Sequence, residues 1–171
     1  MPRVLLGIGS NIERDLSIEA GLDALQELLG EMSLSSVYDS EAIGFSGDPF
    51  LNLVAAAQTQ LPLPELAACL RELEYAHGRP RNATRFSARQ LDIDILTYDD
   101  MVGEFDGVIL PRPEILESAF VLRPLAELLP GEQHPVQKRT YAMLWEELGT
   151  TMTAARRVNF SWRGRVISVA G

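Results

Sequence analysis

The amino-acid sequence predicts an α+β fold, a mainly antiparallel sheet covered by helices, with a C-terminal extension. Three observations carry that expectation: runs of alternating apolar residues, stretches with leucines three and four apart, and short connections between them. Residues 4–10 read as a strand, apolar and running into a glycine-rich turn. Leu16, Leu22, Leu25, Leu28 and Leu29 mark a helix over 15–29, with Gly30 as its stop. Residues 34–38 read as a strand, a loop with Gly44, Gly47 and Pro49 follows, and 50–59 is the next strand. Pro62-Leu63-Pro64-Glu65 opens a second helix, where proline and acid suit the free amides and the dipole of a first turn. Leu66, Leu70 and Leu73 line one face of it, Cys69 sits among them, and Gly78 closes it. Residues 91–98 alternate almost without a break and form the fourth strand.

Strand, helix, strand, strand, helix, strand is the ferredoxin-like βαββαβ order. Beyond it, Asp99-Asp100 marks a turn and 108–110 a short strand. Residues 113–129 read as one or two short helices interrupted by Pro124, and 141–148 as another. A terminal hairpin is expected over 158–169, around Arg163-Gly164. No repeat or linker divides the 171 residues. One domain over 1–171 is therefore expected, its core about 3–130 and its extension about 131–171.

Acidic residues number 24 and basic residues 15, for a net charge of −9. General nucleic-acid or anionic-membrane binding needs a positive field and is not expected. No apolar run reaches the roughly 18–20 residues that span a bilayer. The N-terminal apolar stretch breaks at Gly7 and Gly9, too soon for a signal-peptide core. A single cysteine, Cys69, cannot form an internal disulfide. A cytoplasmic monomer is the expectation. The charge is unevenly spread, however. Arg79, Arg81, Arg85 and Arg89 fall between Gly78 and Gln90 with no acid among them. That segment carries +4, which leaves −13 on the remainder.

Directly after it comes Leu91-Asp92-Ile93-Asp94-Ile95-Leu96. In a strand, Asp92 and Asp94 share one face, about 6–7 Å apart, and repel each other. A hard cation such as Mg²⁺ would relieve that repulsion. Taken alone, the pair fits equally well as the wet face of an antiparallel strand. The arginines beside it favour the metal, because guanidinium groups make planar two-point contacts with polyphosphate. Carboxylates for a cation next to arginines for an anion describe a Mg-nucleotide site. It is no P-loop, since the sole lysine, Lys138, follows no glycine-rich loop, and Gly7-Ile8-Gly9 lacks the third glycine of a dinucleotide fingerprint. His77 and His134 stand alone; His77 reads as a contact at a helix end.

Together these segments resemble the 6-hydroxymethyl-7,8-dihydropterin pyrophosphokinase family. The resemblance lies in Gly7-Ile8-Gly9-Ser10-Asn11, Phe50-Leu51-Asn52, and Glu74 with Gly78-Arg79-x-Arg81-x-x-x-Arg85. It continues through Arg89-x-Leu91-Asp92-Ile93-Asp94-Ile95, Pro111 and Phe120-x-Leu122-x-Pro124-Leu125. What it implies is transfer of pyrophosphate from ATP, with two Mg²⁺ ions, to a pterin hydroxymethyl group, releasing AMP, in folate biosynthesis. By the same resemblance, Asp92 and Asp94 hold the metal, and Arg79 and Arg89 stabilise the anionic transition state. Glu74, Arg81, Arg85, Arg112 and Ile95 fall on the nucleotide side. Phe50 and Phe120 sandwich the pterin, Asn52 hydrogen-bonds its edge, and Ala42, Ile43 and Phe45 lie in the loop that supplies its remaining partners. The chain departs from the family pattern at Phe86, Ala88, Gly107, Ile109, Arg112-Pro113 and Ser118. Most of these departures lie on the nucleotide side that the resemblance implies, where Arg112 is expected to replace a lost phosphate contact. They leave a second reading, a pterin-binding or regulatory paralogue with weakened catalysis.

Overall fold

A computed structural model describes residues 1–40, 49–77 and 91–171. The expected loop glycines Gly44 and Gly47 and the helix stop Gly78 lie outside them. Alternation along the first strand, β1 (Arg3–Ser10), sets the architecture. Val4, Leu6 and Ile8 point to one face, while Leu5, Gly7 and Gly9 point to the other. Four further strands, β2 (Met32–Leu34), β3 (Val37–Ser40), β4 (Phe50–Gln58) and β5 (Asp92–Tyr98), build the sheet around it. β1 lies between β4 and β5, antiparallel to both, and β3 pairs with the far side of β4. The expected core order is therefore present.

The strand expected over 34–38 is two short ones, both paired with β4. Ser35 and Ser36 separate them. The Ser35 hydroxyl donates to the Ser36 carbonyl at 2.8 Å and accepts the Val54 amide at 2.9 Å. Serine side chains here take over bonds that a continuous ladder would make.

Helices cover both faces. On the Val4–Leu6–Ile8 side lie α1 (Arg14–Leu29) and α2 (Leu63–Ala76), whose Ile18, Leu22, Leu25, Leu66 and Leu70 share one core with the sheet. On the opposite side, a short 3-10 helix (Pro113–Leu116), α3 (Ala119–Leu128) and α4 (Tyr141–Leu148) bury Leu5, Val54, Ala56 and Leu96. Pro124 does not interrupt α3. The break falls earlier, at Glu117–Ser118, and the Pro124 ring is buried on the face packed against the sheet. Packing compensates for the amide that proline withholds.

After β5, β6 (Gly103–Phe105) and β7 (Val108–Leu110) form a hairpin whose Phe105, Val108 and Leu110 pack into the core shared with α1 and α2. Its turn residues Asp106 and Gly107 have φ of 52° and 86°. Positive φ at both central positions defines the tight turn that matches strand twist and favours Asp-Gly. Gly107, a departure from the family pattern, thus has a conformational reason. The C-terminal hairpin is present as β9 (Phe160–Trp162) and β10 (Arg165–Ser168). Just before it, β8 (Arg156–Val158) pairs with β3 and completes the order β5-β1-β4-β3-β8. Trp162 Nε1 donates to Asp23 of α1 at 2.9 Å, tying the hairpin to the helix layer. No helix among the described residues is long and apolar enough to cross a membrane.

His134 organises the turn before α4. Its buried ring accepts the Val136 and Gln137 amides at Nδ1, at 3.2 and 3.1 Å. Burial lowers its affinity for a proton below the ordinary value of 6.5, and a proton on Nδ1 would displace both donors. A depressed folded-state value means the stabilisation is complete above about 6.5 and lost as pH falls through the lower, folded value. Melting temperature should therefore drop more steeply on acidification below about pH 6.5 in wild type than in His134→Asn, whose Oδ1 keeps an acceptor there. Parallel curves for the two proteins would refute this.

Candidate active site

One row of residues crosses four strands on the face that α3 covers. Gly9 of β1 stands between Asp92 of β5 and Asn52 of β4, and Tyr38 of β3 lies beyond Asn52. In the next row Gly7 separates Asp94 from Val54. The two glycines make a low floor between the carboxylates and the amide. A Cβ on Gly9 would lie 2.7 Å from Asn52 Oδ1 and 3.5 Å from Phe50 Cδ1. Phe50, two positions from Asn52 in the same strand, shares this face. Phe120, at the start of α3, packs beside Tyr38, Ala119 and Ala155 on the same side of the sheet.

Tyr38 and the end of α3 are locked together. The Tyr38 hydroxyl donates to Glu127 at 2.7 Å, the Ser36 hydroxyl to the same carboxylate at 2.6 Å, and Arg123 lies over the Tyr38 ring at 5.0 Å. Burial, then the Glu127 carboxylate, pushes the Tyr38 hydroxyl up to about 12, so it stays a donor. Helix α3, and Phe120 with it, is thereby held on the sheet.

The carboxylates carry the strongest electrostatic perturbation. Burial and the neighbouring Asp92 push the Asp94 carboxyl up to about 8, against the pull of Arg112. Arg112 lies 3.4 Å from Asp94, contacts Glu114 as well, and its amide donates to the Leu96 carbonyl of β5 at 2.9 Å. Burial alone would lower the Arg112 value, but Asp94 and Glu114 outweigh it and raise it. Among the described residues no group of three or more His, Cys, Asp and Glu side chains converges on one point. Two carboxylates are nonetheless what Mg²⁺ uses when water and phosphate complete its octahedron. Hard oxygen donors, mutual repulsion and a guanidinium already drawn to Asp94 all fit a cation at this position.

Glu74, in the last turn of α2, is buried and accepts the Ile93 amide at 2.7 Å. Ile93 lies between the two aspartates on a strand that is at the edge of the sheet among the described residues. Glu74 therefore holds the backbone from which Asp92 and Asp94 project. Ile95 does not join the row: its side chain is buried in the core against α1 and α2, on the opposite face. His77, at the end of α2, has its Nδ1 2.7 Å from the Leu73 carbonyl, the helix-end contact expected of it. Arg79, Arg81, Arg85 and Arg89, together with Ala42, Ile43, Phe45, Phe86 and Ala88, lie outside the described residues.

Three contributors escape the sequence reading: Gly9 as the floor beside Asn52, Tyr38 as the tie to α3, and Arg14. Gly9 belongs to the Gly7-Ile8-Gly9-Ser10-Asn11 segment already singled out, and Arg14 leaves a signal as a cation in the first turn of a helix, where the dipole disfavours it.

Residues 5–130 match the model of the 7,8-dihydro-6-hydroxymethylpterin-pyrophosphokinase (HPPK) family. The chain belongs to the HPPK family. The 2-amino-4-hydroxy-6-hydroxymethyldihydropteridine pyrophosphokinase of Aquifex aeolicus is 35% identical over 141 residues, covering 81% of this chain and 88% of its own. The protein of the same name from Pseudomonas aeruginosa is 35% identical over 137 residues, 78% of this chain and 84% of its own. A crystal structure of Plasmodium falciparum HPPK-DHPS, wild type with SDX-DHP, has a TM-score of 0.73 at 12% identity. That match covers 98% of this chain and 49% of the other, so the chain spans about half the length of that protein. At that identity the likeness is one of fold. Membership in the HPPK family places the chain among the diphosphotransferases.

Proposed function

We propose that the protein transfers a pyrophosphoryl group from ATP to the hydroxymethyl oxygen of 6-hydroxymethyl-7,8-dihydropterin, releasing AMP, as a step of folate biosynthesis. The observation that carries the proposal is the row Asp92–Gly9–Asn52 with Asp94 and Phe50 on the same face. A cation-binding pair and an amide with an aromatic ring sit side by side, as a reaction joining a polyphosphate to a flat heterocycle requires.

In this reading the pterin lies over the glycine floor, its edge hydrogen-bonded by Asn52 and its faces against Phe50 and Phe120. The backbone around Ala42, Ile43 and Phe45 takes its remaining polar atoms. The hydroxymethyl oxygen attacks the β-phosphorus in line, the bond from that phosphorus to the α–β bridging oxygen breaks, and the hydroxyl proton is lost to solvent. Asp92 and Asp94 would hold two Mg²⁺ ions, which supply charge neutralisation on the phosphate oxygens when bound. Arg79 and Arg89 stabilise the charge that develops, and Arg81 and Arg85 capture the triphosphate. Arg112 already reaches Asp94 and so lies close enough to contact a phosphate held there. Glu74 keeps the aspartate strand in place throughout. A coupled assay should detect AMP only when ATP, Mg²⁺ and the hydroxymethyl dihydropterin are all present. AMP formed without the pterin, or none with all three, would reject the proposal.

A second reading draws on the Arg112–Asp94 pair, in which a guanidinium takes up charge that a metal would use. It describes a pterin-binding paralogue with weakened catalysis. Calorimetry separates the two: pterin binding without binding of Mg²⁺ and a non-hydrolysable ATP analogue favours the paralogue.

A further inference from the structure

Arg14 is the first residue of α1, where the free amides of the helix already carry partial positive charge. Its placement there is opposed by the dipole, and the preceding residue, Glu13, sits in the left-handed region at φ 46°. Something else must reward the arrangement. The Arg14 guanidinium meets the Asp39 carboxylate as a fork, Nη1 to Oδ1 at 3.0 Å and Nη2 to Oδ2 at 3.4 Å. The same Nη1 donates to the Pro49 carbonyl at 3.0 Å. Asp39 lies near the end of β3, and Pro49 immediately precedes Phe50 of β4. One planar group therefore joins both sides of the chain flanking residues 41–48.

Asp39 faces Leu51 across the ladder, between the pairs Tyr38–Asn52 and Ser40–Phe50. Arg156 of β8 approaches the same carboxylate at 3.9 Å, from the strand added by the C-terminal extension. Arg14 and Asp39 are both partly buried, with side-chain exposures of 29% and 18%, so solvent screens their contact less than that of a fully exposed pair. We infer that Arg14 is a positioning residue for substrate recognition: it clamps Asp39 to the Pro49 carbonyl and so fixes where Phe50 and Asn52 stand. It touches neither substrate nor metal, and its effect falls on the pterin half of the site. The aspartate half is held independently, by Glu74 and by the Arg112 amide.

The inference rests on the pterin reading proposed above, and the test separates the two. Wild type, Arg14→Gln, Arg14→Lys and Asp39→Asn are titrated by calorimetry with the hydroxymethyl dihydropterin, and separately with Mg²⁺ and a non-hydrolysable ATP analogue. Arg14→Gln should weaken pterin binding about tenfold, as expected for loss of one to two charge-assisted hydrogen bonds, and leave nucleotide affinity unchanged. Arg14→Lys should recover only part, because an ammonium cannot span both acceptors as a fork. Asp39→Asn should fall between wild type and Arg14→Gln. Pterin affinity unchanged in Arg14→Gln, or pterin and nucleotide affinity falling together, overturns the clamp. Failure of the wild type itself to bind the pterin overturns the functional reading, and the clamp with it.

Discussion

Replacing Asp94 with alanine should abolish AMP release while leaving the protein folded, and in the absence of metal at least as stable as wild type. Both halves follow from one fact. Asp94 is held beside Asp92 on a partly buried strand face, and burial with that neighbour pushes its carboxyl up to about 8. A carboxyl raised above its unfolded value of 3.8 favours folding least when it is charged. Its contribution is complete below about pH 4 and is lost as pH rises toward about 8. Removing the group therefore removes a penalty at neutral pH. Arg112 loses one partner but keeps Glu114, so no bare guanidinium is left behind. In the proposed reaction the same repulsion would favour a cation at this position, whose neutralisation of phosphate charge would contribute several kcal/mol to the transition state. A loss of about a thousandfold or more in turnover is expected. Addition of Mg²⁺ with an ATP analogue should raise the melting temperature of wild type and leave that of Asp94→Ala unmoved. Near-normal turnover in the variant would reject the metal assignment.

That pair is legible in the sequence because strand periodicity is strict. Once 91–98 is a strand, Asp92 and Asp94 must share a face, and Ile93 and Ile95 must share the other. The same rule places the Ile95 side chain in the core. The register that sets Gly9 between Asp92 and Asn52 is a different matter. It depends on which strands become neighbours, and three segments distant in sequence have to meet before the row exists. Local pattern reports periodicity within a segment and says little about partners across a sheet.

Other misses share that cause. Ser35 and Ser36 break a strand because Glu127, far along the chain, offers an acceptor that the ladder does not. Pro124 reads as a break by propensity, yet burial of its ring against the sheet keeps α3 intact. The hairpin expected over 158–169 is present, but β8 just before it has no signal in the sequence, because it extends the central sheet along an edge of β3 that only the folded state creates. In each case a long-range contact overrides a local preference. The basic residues of the tail illustrate it directly: Arg156 lies opposite Asp39, and Arg163 contacts Asp23.

Gly9→Ala should cost most of the pterin affinity while sparing the fold. A Cβ at this position meets Asn52 Oδ1 at 2.7 Å, closer than carbon and oxygen tolerate, and the Leu51 carbonyl at 3.5 Å, an ordinary contact. The backbone therefore has no reason to move, and the strain is relieved by rotating the Asn52 side chain. Alanine also gives a strand interior less backbone freedom to lose than glycine does, by roughly 0.5–1 kcal/mol, which partly offsets the repacking. Stability should stay close to that of wild type. Asn52, however, is the group assigned to the pterin edge, and turning it away forfeits one or two hydrogen bonds in a partly buried site, about 1–3 kcal/mol. Affinity for the hydroxymethyl dihydropterin should fall by roughly tenfold to a hundredfold. Binding of Mg²⁺ with an ATP analogue should be unaffected, because Asp92 and Asp94 project from β5 and keep their Glu74 anchor. The companion Gly7→Ala sharpens the comparison. Its Cβ would meet only Leu96 side-chain carbons, the nearest at 3.4 Å, a contact that leaves Asn52 alone. Pterin binding should therefore separate the two glycine variants, although both lie in one strand and face one way. Equal losses in Gly7→Ala and Gly9→Ala would mean that the floor as a whole, rather than the Asn52 amide beside Gly9, determines recognition.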